Sequence, residues 1–295
     1  MILRQKILLD LLDTLPTAPG RTALVKLVFL LRQEVPSLAS EAFYDFLPYK
    51  FGPFSFCLYR ELENLRSKGY LGDDETSVIL DARTRGERAN IVDSIPERIR
   101  RGIKSVSGRY GGMRYRELLA KVYRAYPWYA TRSEKRRLVA SNAVPAPSPS
   151  VAVYTVGYEG TSVDSFFDYL LRKGIKGILD VRANPVSRKY GFARRSLNDI
   201  ATKLGCDYHH IPGLGIPSSH RVGLSSYEAY QRLLDRYELD MLPKCQADLR
   251  LAADLLGQEP SALLCVEKDP RLCHRGRLAK SLEAITGLPV INLTA

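Results

Sequence analysis

Val151-Ala152-Val153-Tyr154-Thr155-Val156-Gly157, followed by a helical apolar pattern from Val163 to Leu171, is the stretch on which the fold class turns. The first part is an apolar, β-branched run of strand length closed by a glycine. The second repeats apolar residues at helical spacing, so the pair reads as a β-then-α unit. The order recurs downstream. Gly177-Ile178-Leu179-Asp180-Val181 reads as a buried strand, Leu197 to Leu204 as a helix and Asp207-Tyr208-His209-His210-Ile211 as a third strand. Tyr227 to Leu256 is strongly helical with a break expected at Pro243, and Ser261 to Val266 is a strand. A helix from about Arg275 to Thr286 and a last strand from Val290 to Leu293 close the chain. Alternation of this kind predicts an α/β domain over 151–295, with a mainly parallel sheet and flanking helices.

Upstream, Ser141 to Ser150 carries no charge and has three prolines, which is the composition of an extended linker. Before it, Ile2 to Leu12 and Arg21 to Gln33 show helical apolar stripes, the second with Thr22 available as a cap. After Pro53, the spacing of Phe54, Leu58, Leu62 and Leu65 predicts a third helix, stopped at Gly69. Tyr70 to Leu80 reads as strand, polar turn and strand. Helices followed by a small hairpin predict a mostly helical, winged-helix-like domain over 1–82. Residues 83–140 read as a basic helical connector, in which Arg100, Arg101, Arg114, Arg116, Arg136 and Arg137 are interleaved with Tyr110, Tyr123, Tyr126, Trp128 and Tyr129. These side chains either neutralise phosphates and stack on bases or bury the segment against a neighbouring domain.

The 295 residues are 45% hydrophobic and 26% charged, within the range of folded proteins and outside that of disordered ones. A formal charge of +12 and a pI near 9.5 favour polyanionic partners. Nucleic acid is the expected partner, DNA ahead of RNA, with a protein partner open to the N-terminal domain. The early charges Arg4 and Lys6 argue against a signal peptide, and no apolar stretch spans a bilayer, so the expectation is a cytoplasmic protein with no membrane partner. Five cysteines (Cys57, Cys206, Cys245, Cys265, Cys273) are an odd number without a secretory signal, which predicts thiols rather than a disulfide framework.

Four motifs carry a family resemblance: Val156-Gly157-Tyr158-Glu159-Gly160; Asp180-Val181-Arg182 with Pro185 and Ser187-Arg188; Cys265-Val266-Glu267-Lys268-Asp269-Pro270; and Cys273-His274-Arg275. In this order, each near a strand end, they resemble the domain of unknown function 488, over roughly the C-terminal half. That family's name leaves its chemistry open. Phe43-Tyr44-Asp45-Phe46-Leu47-Pro48-Tyr49-Lys50-Phe51-Gly52-Pro53-Phe54-Ser55, with Leu58-Tyr59 and Leu62, resembles the core of Panacea-type antitoxin domains.

Ligands of open parallel sheets collect outside the carboxyl ends of the strands, so these motifs are expected to share one cleft. Glu159, Asp180, Glu267 and Cys273 are the candidate catalytic groups, as carboxylate acids or bases and as a thiol at a helix start. Tyr158, Arg182, Arg188, His274 and Arg275 are the candidate substrate or phosphate ligands. Asp180 and Arg182, two positions apart, face the same way, and either pair with each other or present Arg182 to substrate. Cys265, eight positions before Cys273, could approach it across the loop, where a redox pair, a metal site and packing compete, and it is read as a packed thiol. Cys265, Cys273 and His274 lack the short-spaced cysteine pairs of structural zinc sites, so neither metal nor cofactor is expected. Of His209 and His210, strand alternation sends one inward and one outward.

Three functional expectations follow. One is a DNA-processing or repair-type enzyme, hydrolase- or glycosylase-like, acting on a base or sugar–phosphate in the C-terminal cleft. Another is a non-catalytic DNA-binding regulator or antitoxin-like adaptor. The third is thiol chemistry at Cys273.

Overall fold

A computed structural model describes residues 1–72, 76–81, 84, 86, 88–138, 144–221 and 226–294, with 88–90 and 138 described in backbone only. The chain divides into two compact units, Met1–Pro145 and Ala146–Ala295.

The first unit is mostly helical. Helix α1 spans Leu3–Thr14 and α2 spans Arg21–Glu34. The second begins after Gly20 with no side-chain cap, so Thr22 is not the cap expected from sequence. It lies in the first turn and hydrogen bonds with the side chain of Tyr115 instead. Strands β1 (Leu47–Tyr49) and β2 (Gly52–Phe54) form an antiparallel hairpin that helical periodicity did not announce. Its turn is tight enough to place Gly52 at φ 88°, which glycine adopts without a Cβ penalty. Helix α3 (Phe56–Ser67) is capped by Ser55, whose hydroxyl accepts from the Leu58 amide, and is followed by Gly69 at φ 74°. Leu71 and Leu80 then pair antiparallel; the turn expected between them, 73–75, lies outside the described residues.

Helices α4 (Arg88–Asp93), α5 (Glu97–Tyr110) and α6 (Tyr115–Ala125) fall in the stretch read as a connector. Ile99, Ile103 and Val106 of α5 and Leu118, Leu119 and Val122 of α6 join Leu8, Val28 and Phe29 in one hydrophobic core. The Ser107 hydroxyl donates to the Thr14 carbonyl at 2.7 Å, fixing α5 to the end of α1. Tyr126 and Tyr129 set their rings edge-on to Phe29, and Tyr110 and Tyr123 are buried. The aromatic residues of this stretch therefore pack inward, while Arg101, Arg114, Arg116, Lys121 and Arg124 remain exposed. Residues 1–145 hold 25 Lys and Arg against 16 Asp and Glu, which puts most of the chain's positive charge on this unit.

The second unit is a five-stranded parallel sheet with flanking helices. Its strands are β3 (Val153–Gly157), β4 (Gly177–Asp180), β5 (Asp207–His210), β6 (Ser261–Cys265) and β7 (Val290–Leu293), in spatial order β5-β4-β6-β3-β7. The central strands β3, β4 and β6 are buried along their whole length, which is why they read as continuous apolar runs. Edge strand β5 alternates exposed and half-buried residues. The crossovers are α7 (Val163–Lys173), α8 (Arg194–Lys203), the pair α9 (Tyr227–Arg236) and α10 (Gln246–Gln258), and α11 (His274–Thr286). The expected break near Pro243 is a π-turn over Tyr237–Met241 followed by a 3-10 turn over Leu242–Lys244. The chain leaves β4 toward β5 and leaves β6 toward β7, in opposite directions. The gap between β4 and β6 is thus the switch point at which such sheets open a crevice.

Candidate functional site at the carboxyl edge of the sheet

Strand register places Gly157 beside Cys265, and Asp180 beside Leu264, so three motifs end on neighbouring strands. Asp180 is fully buried and meets Arg182 in a two-pronged ion pair, Nη2 to Oδ2 at 2.5 Å and Nε to Oδ1 at 2.8 Å. The Tyr208 hydroxyl donates to Asp180 Oδ2 at 2.6 Å. Arg182 Nη1 donates to the Tyr158 hydroxyl at 3.0 Å and to the Phe192 carbonyl at 2.9 Å. Burial works against the Arg182 charge, yet the Asp180 carboxylate outweighs it and raises the guanidinium pKa. Burial, then Asp180, raises the Tyr208 phenol. Tyr158 stacks on Phe192 with centroids 4.1 Å apart and planes 10° apart. Asp180, Arg182 and Tyr158 therefore form one buried polar network whose partners all lie within the protein. Of the two uses open to Arg182 in the sequence, the ion pair is the one formed.

Two residues of this network were not singled out in the sequence, Tyr208 and Phe192. The signal for Tyr208 was the strand alternation that puts 208 and 210 on one face. His210, half-buried, brings Nε2 to 2.9 Å from the Arg182 carbonyl, while His209 is exposed.

Across the switch point, β6 ends at Cys265 and α11 starts at His274, with Cys273 in its N-cap position. Cys265, Cys273 and His274 are all buried. His274 Nδ1 lies 3.8 Å from Cys265 Sγ and 3.9 Å from Cys273 Sγ, and its Nε2 lies 2.9 Å from the Val181 carbonyl. A carbonyl can only accept, so Nε2 carries the hydrogen and Nδ1 turns a lone pair toward both sulfurs. The sequence allowed Cys265 to approach Cys273 across the loop, and the helix start brings His274 to the same point.

Glu267 stands beside this group, partly exposed at 25%, with Oε2 3.3 Å from Cys265 Sγ and Oε1 4.0 Å from Arg221. Burial pushes its carboxyl upward, but hydrogen bonds from Cys273 and from its own backbone and Cys265 hold it below the usual range. Burial, with Cys265 alongside, drives the Cys273 thiol well up. The loop bearing Glu267 is fixed on three sides. Arg275, fully buried, donates to the carbonyls of Glu267 and Lys268, the second at 2.9 Å. Glu159 Oε2 accepts from the Lys268 amide at 3.0 Å. Gly157 lies so close that a Cβ there would stand 1.9 Å from the Glu267 carbonyl oxygen.

Residues 162–282 match the family model of the domain of unknown function DUF488. That segment takes in Asp180, Arg182, Arg188, Glu267, Cys273, His274 and Arg275, while Tyr158 and Glu159 lie just ahead of it. No curated protein matches the chain.

The second unit thus contains one saturated network and one cluster with chemistry to spare. Of the expected ligands, Arg182 and Arg275 are buried and turned onto protein acceptors, whereas Arg188 is exposed. Lys189 donates to the Tyr158 carbonyl at 3.0 Å, and burial lowers its pKa. Of the expected reactive groups, Glu267 and Cys273 meet at the switch point, Asp180 lies in the closed network, and Glu159 braces the loop. No helix among the described residues is long and apolar enough to cross a membrane.

Proposed function

We propose that the chain is a nucleic-acid-processing enzyme whose reaction centre is the cluster of Glu267, Cys265, Cys273 and His274, with the basic helical unit holding the polyanion. The observation that carries this reading is the position of Glu267. It is a partly exposed carboxylate at the sheet's switch point, held by Arg275 and Gly157 and backed by two thiols and an imidazole. A carboxylate so fixed is suited to move a proton during hydrolysis of a base or sugar–phosphate substrate. The charge of the first unit supports a phosphate-bearing substrate, because exposed Arg101, Arg114, Arg116 and Lys121 would release counterions on binding. DNA is the substrate proposed, and a cytoplasmic location goes with it.

The test is a salt-dependent binding titration with single- and double-stranded DNA and RNA, the strands then being run on a denaturing gel before and after alkali. Cleaved or alkali-labile strands from the wild type, absent with Glu267→Gln at unchanged affinity, are expected. Binding with intact strands would replace the enzyme by a DNA-binding regulator, a reading that the internal pairing of Asp180 with Arg182 also favours. No binding would overturn both.

A further inference from the structure

We infer that Cys265, Cys273 and His274 form a three-ligand site for a thiophilic divalent cation such as zinc, with its fourth position on the Glu267 side. Two sulfurs and one ring nitrogen converge, all three within 4.8 Å of one another and all buried. A tetrahedral zinc with sulfur at about 2.3 Å and nitrogen at about 2.05 Å would hold sulfur and nitrogen about 3.6 Å apart. The observed separations, 3.8 and 3.9 Å, fit that figure with a small contraction.

Three further features suit a metal better than a packed thiol pair. The Val181 carbonyl takes the Nε2 hydrogen, the outer-shell bond by which metal-bound histidines are usually oriented. The Nδ1 lone pair so exposed faces both sulfurs at nearly equal distances, as it would with one ion held among the three. The ligands also come from rigid elements, the end of β6 and the start of α11, joined by a loop that Arg275 clamps through two backbone carbonyls. The sequence offered no short-spaced cysteine pair, which suits an open three-ligand site more than a closed four-ligand one. At the open position Glu267, 3.3 Å from Cys265 Sγ, would face a metal-bound water. That last role rests on the enzyme reading above; the metal itself does not.

The experiment is made on the full chain, purified without chelators or metal-affinity resin. Metal per chain is measured by inductively coupled plasma mass spectrometry. Cobalt(II) is then exchanged in and the thiolate-to-cobalt charge-transfer absorption recorded. About one equivalent of zinc and a strong charge-transfer band are expected, both abolished in Cys273→Ser and both kept in Cys245→Ser. Metal-free protein that gives no cobalt band overturns the site. So does a Cys265–Cys273 disulfide found by mass spectrometry of protein alkylated without reductant. Since neither readout uses nucleic acid, failure here is separate from failure of the proposed function, and the wild-type cobalt band decides the matter even if Cys273→Ser does not fold.

Discussion

His274 Nε2 lies 2.9 Å from the carbonyl oxygen of Val181, which ties the first residue of α11 to the chain just beyond β4. The bond crosses the sheet's switch point and so sets two halves of the crevice against each other. It also fixes the ring tautomer, and that decides what the two neighbouring sulfurs meet.

The Asp180–Arg182 pair should be costly to break from one side. Asp180→Ala leaves a buried guanidinium without its carboxylate, which is expected to destabilise the protein by about 3–5 kcal/mol. Exposed Arg195→Ala should stay within about 0.5 kcal/mol. Equilibrium urea denaturation of both variants checks this, and an unchanged midpoint for Asp180→Ala would mean that Arg182 finds other partners.

Gly157 is a position where a single methyl group should matter. A Cβ 1.9 Å from the Glu267 carbonyl oxygen meets backbone, which cannot rotate away. Gly157→Ala is expected to cost about 1–3 kcal/mol and to displace the Glu267 loop. Turnover on nucleic acid should fall further than binding does; equal losses would point to general unfolding.

Lys26 makes stability depend on pH. It is buried in the first unit, donates to the Pro53 carbonyl at 3.0 Å, and has its pKa lowered by burial to about 7. Between about 7 and its unfolded value of 10.5 the unfolded chain binds the extra proton, so this residue makes stability rise with pH across that window. Below about pH 7 both states are protonated and the burial cost is fully present. Lys26→Met should therefore stabilise the protein most near pH 6, by one to several kcal/mol on the scale of about 1.4 kcal/mol per pKa unit, and progressively less toward pH 10. Thermal denaturation at pH 6, 8 and 10 checks the trend; a gain independent of pH would contradict it.

Binding of nucleic acid should respond to the exposed arginines one at a time. Arg101→Ala and Arg116→Ala are each expected to weaken binding without regard to base sequence and to reduce the slope of log K against log salt by about 1 for each phosphate that the variant no longer neutralises. Titrations at several salt concentrations read this directly, and an unchanged slope would remove that residue from the interface.

Much of this molecule was legible in its sequence because periodicity is a local property. Continuous apolar runs marked β3, β4 and β6, since strands covered on both faces need apolar side chains at every position. Helical spacing marked the crossovers, and Gly69 marked the end of α3. The alternation of Asp180 and Arg182 placed them on one face. Position in space was another matter. Only the order β5-β4-β6-β3-β7 puts Gly157 against Glu267 and opens the crevice between β4 and β6, because strand pairing is set by packing between residues far apart in the chain. Only the folded loop brings Cys265, Cys273 and His274 together, and only burial turns Arg182, Arg275 and the tyrosines of α5 and α6 inward, where desolvation makes an unpaired polar group too costly. The sequence by itself determined the main helices, the strands of the parallel sheet and the class of fold. The tertiary structure decided which of the charged and nucleophilic residues hold the protein together and which remain for chemistry.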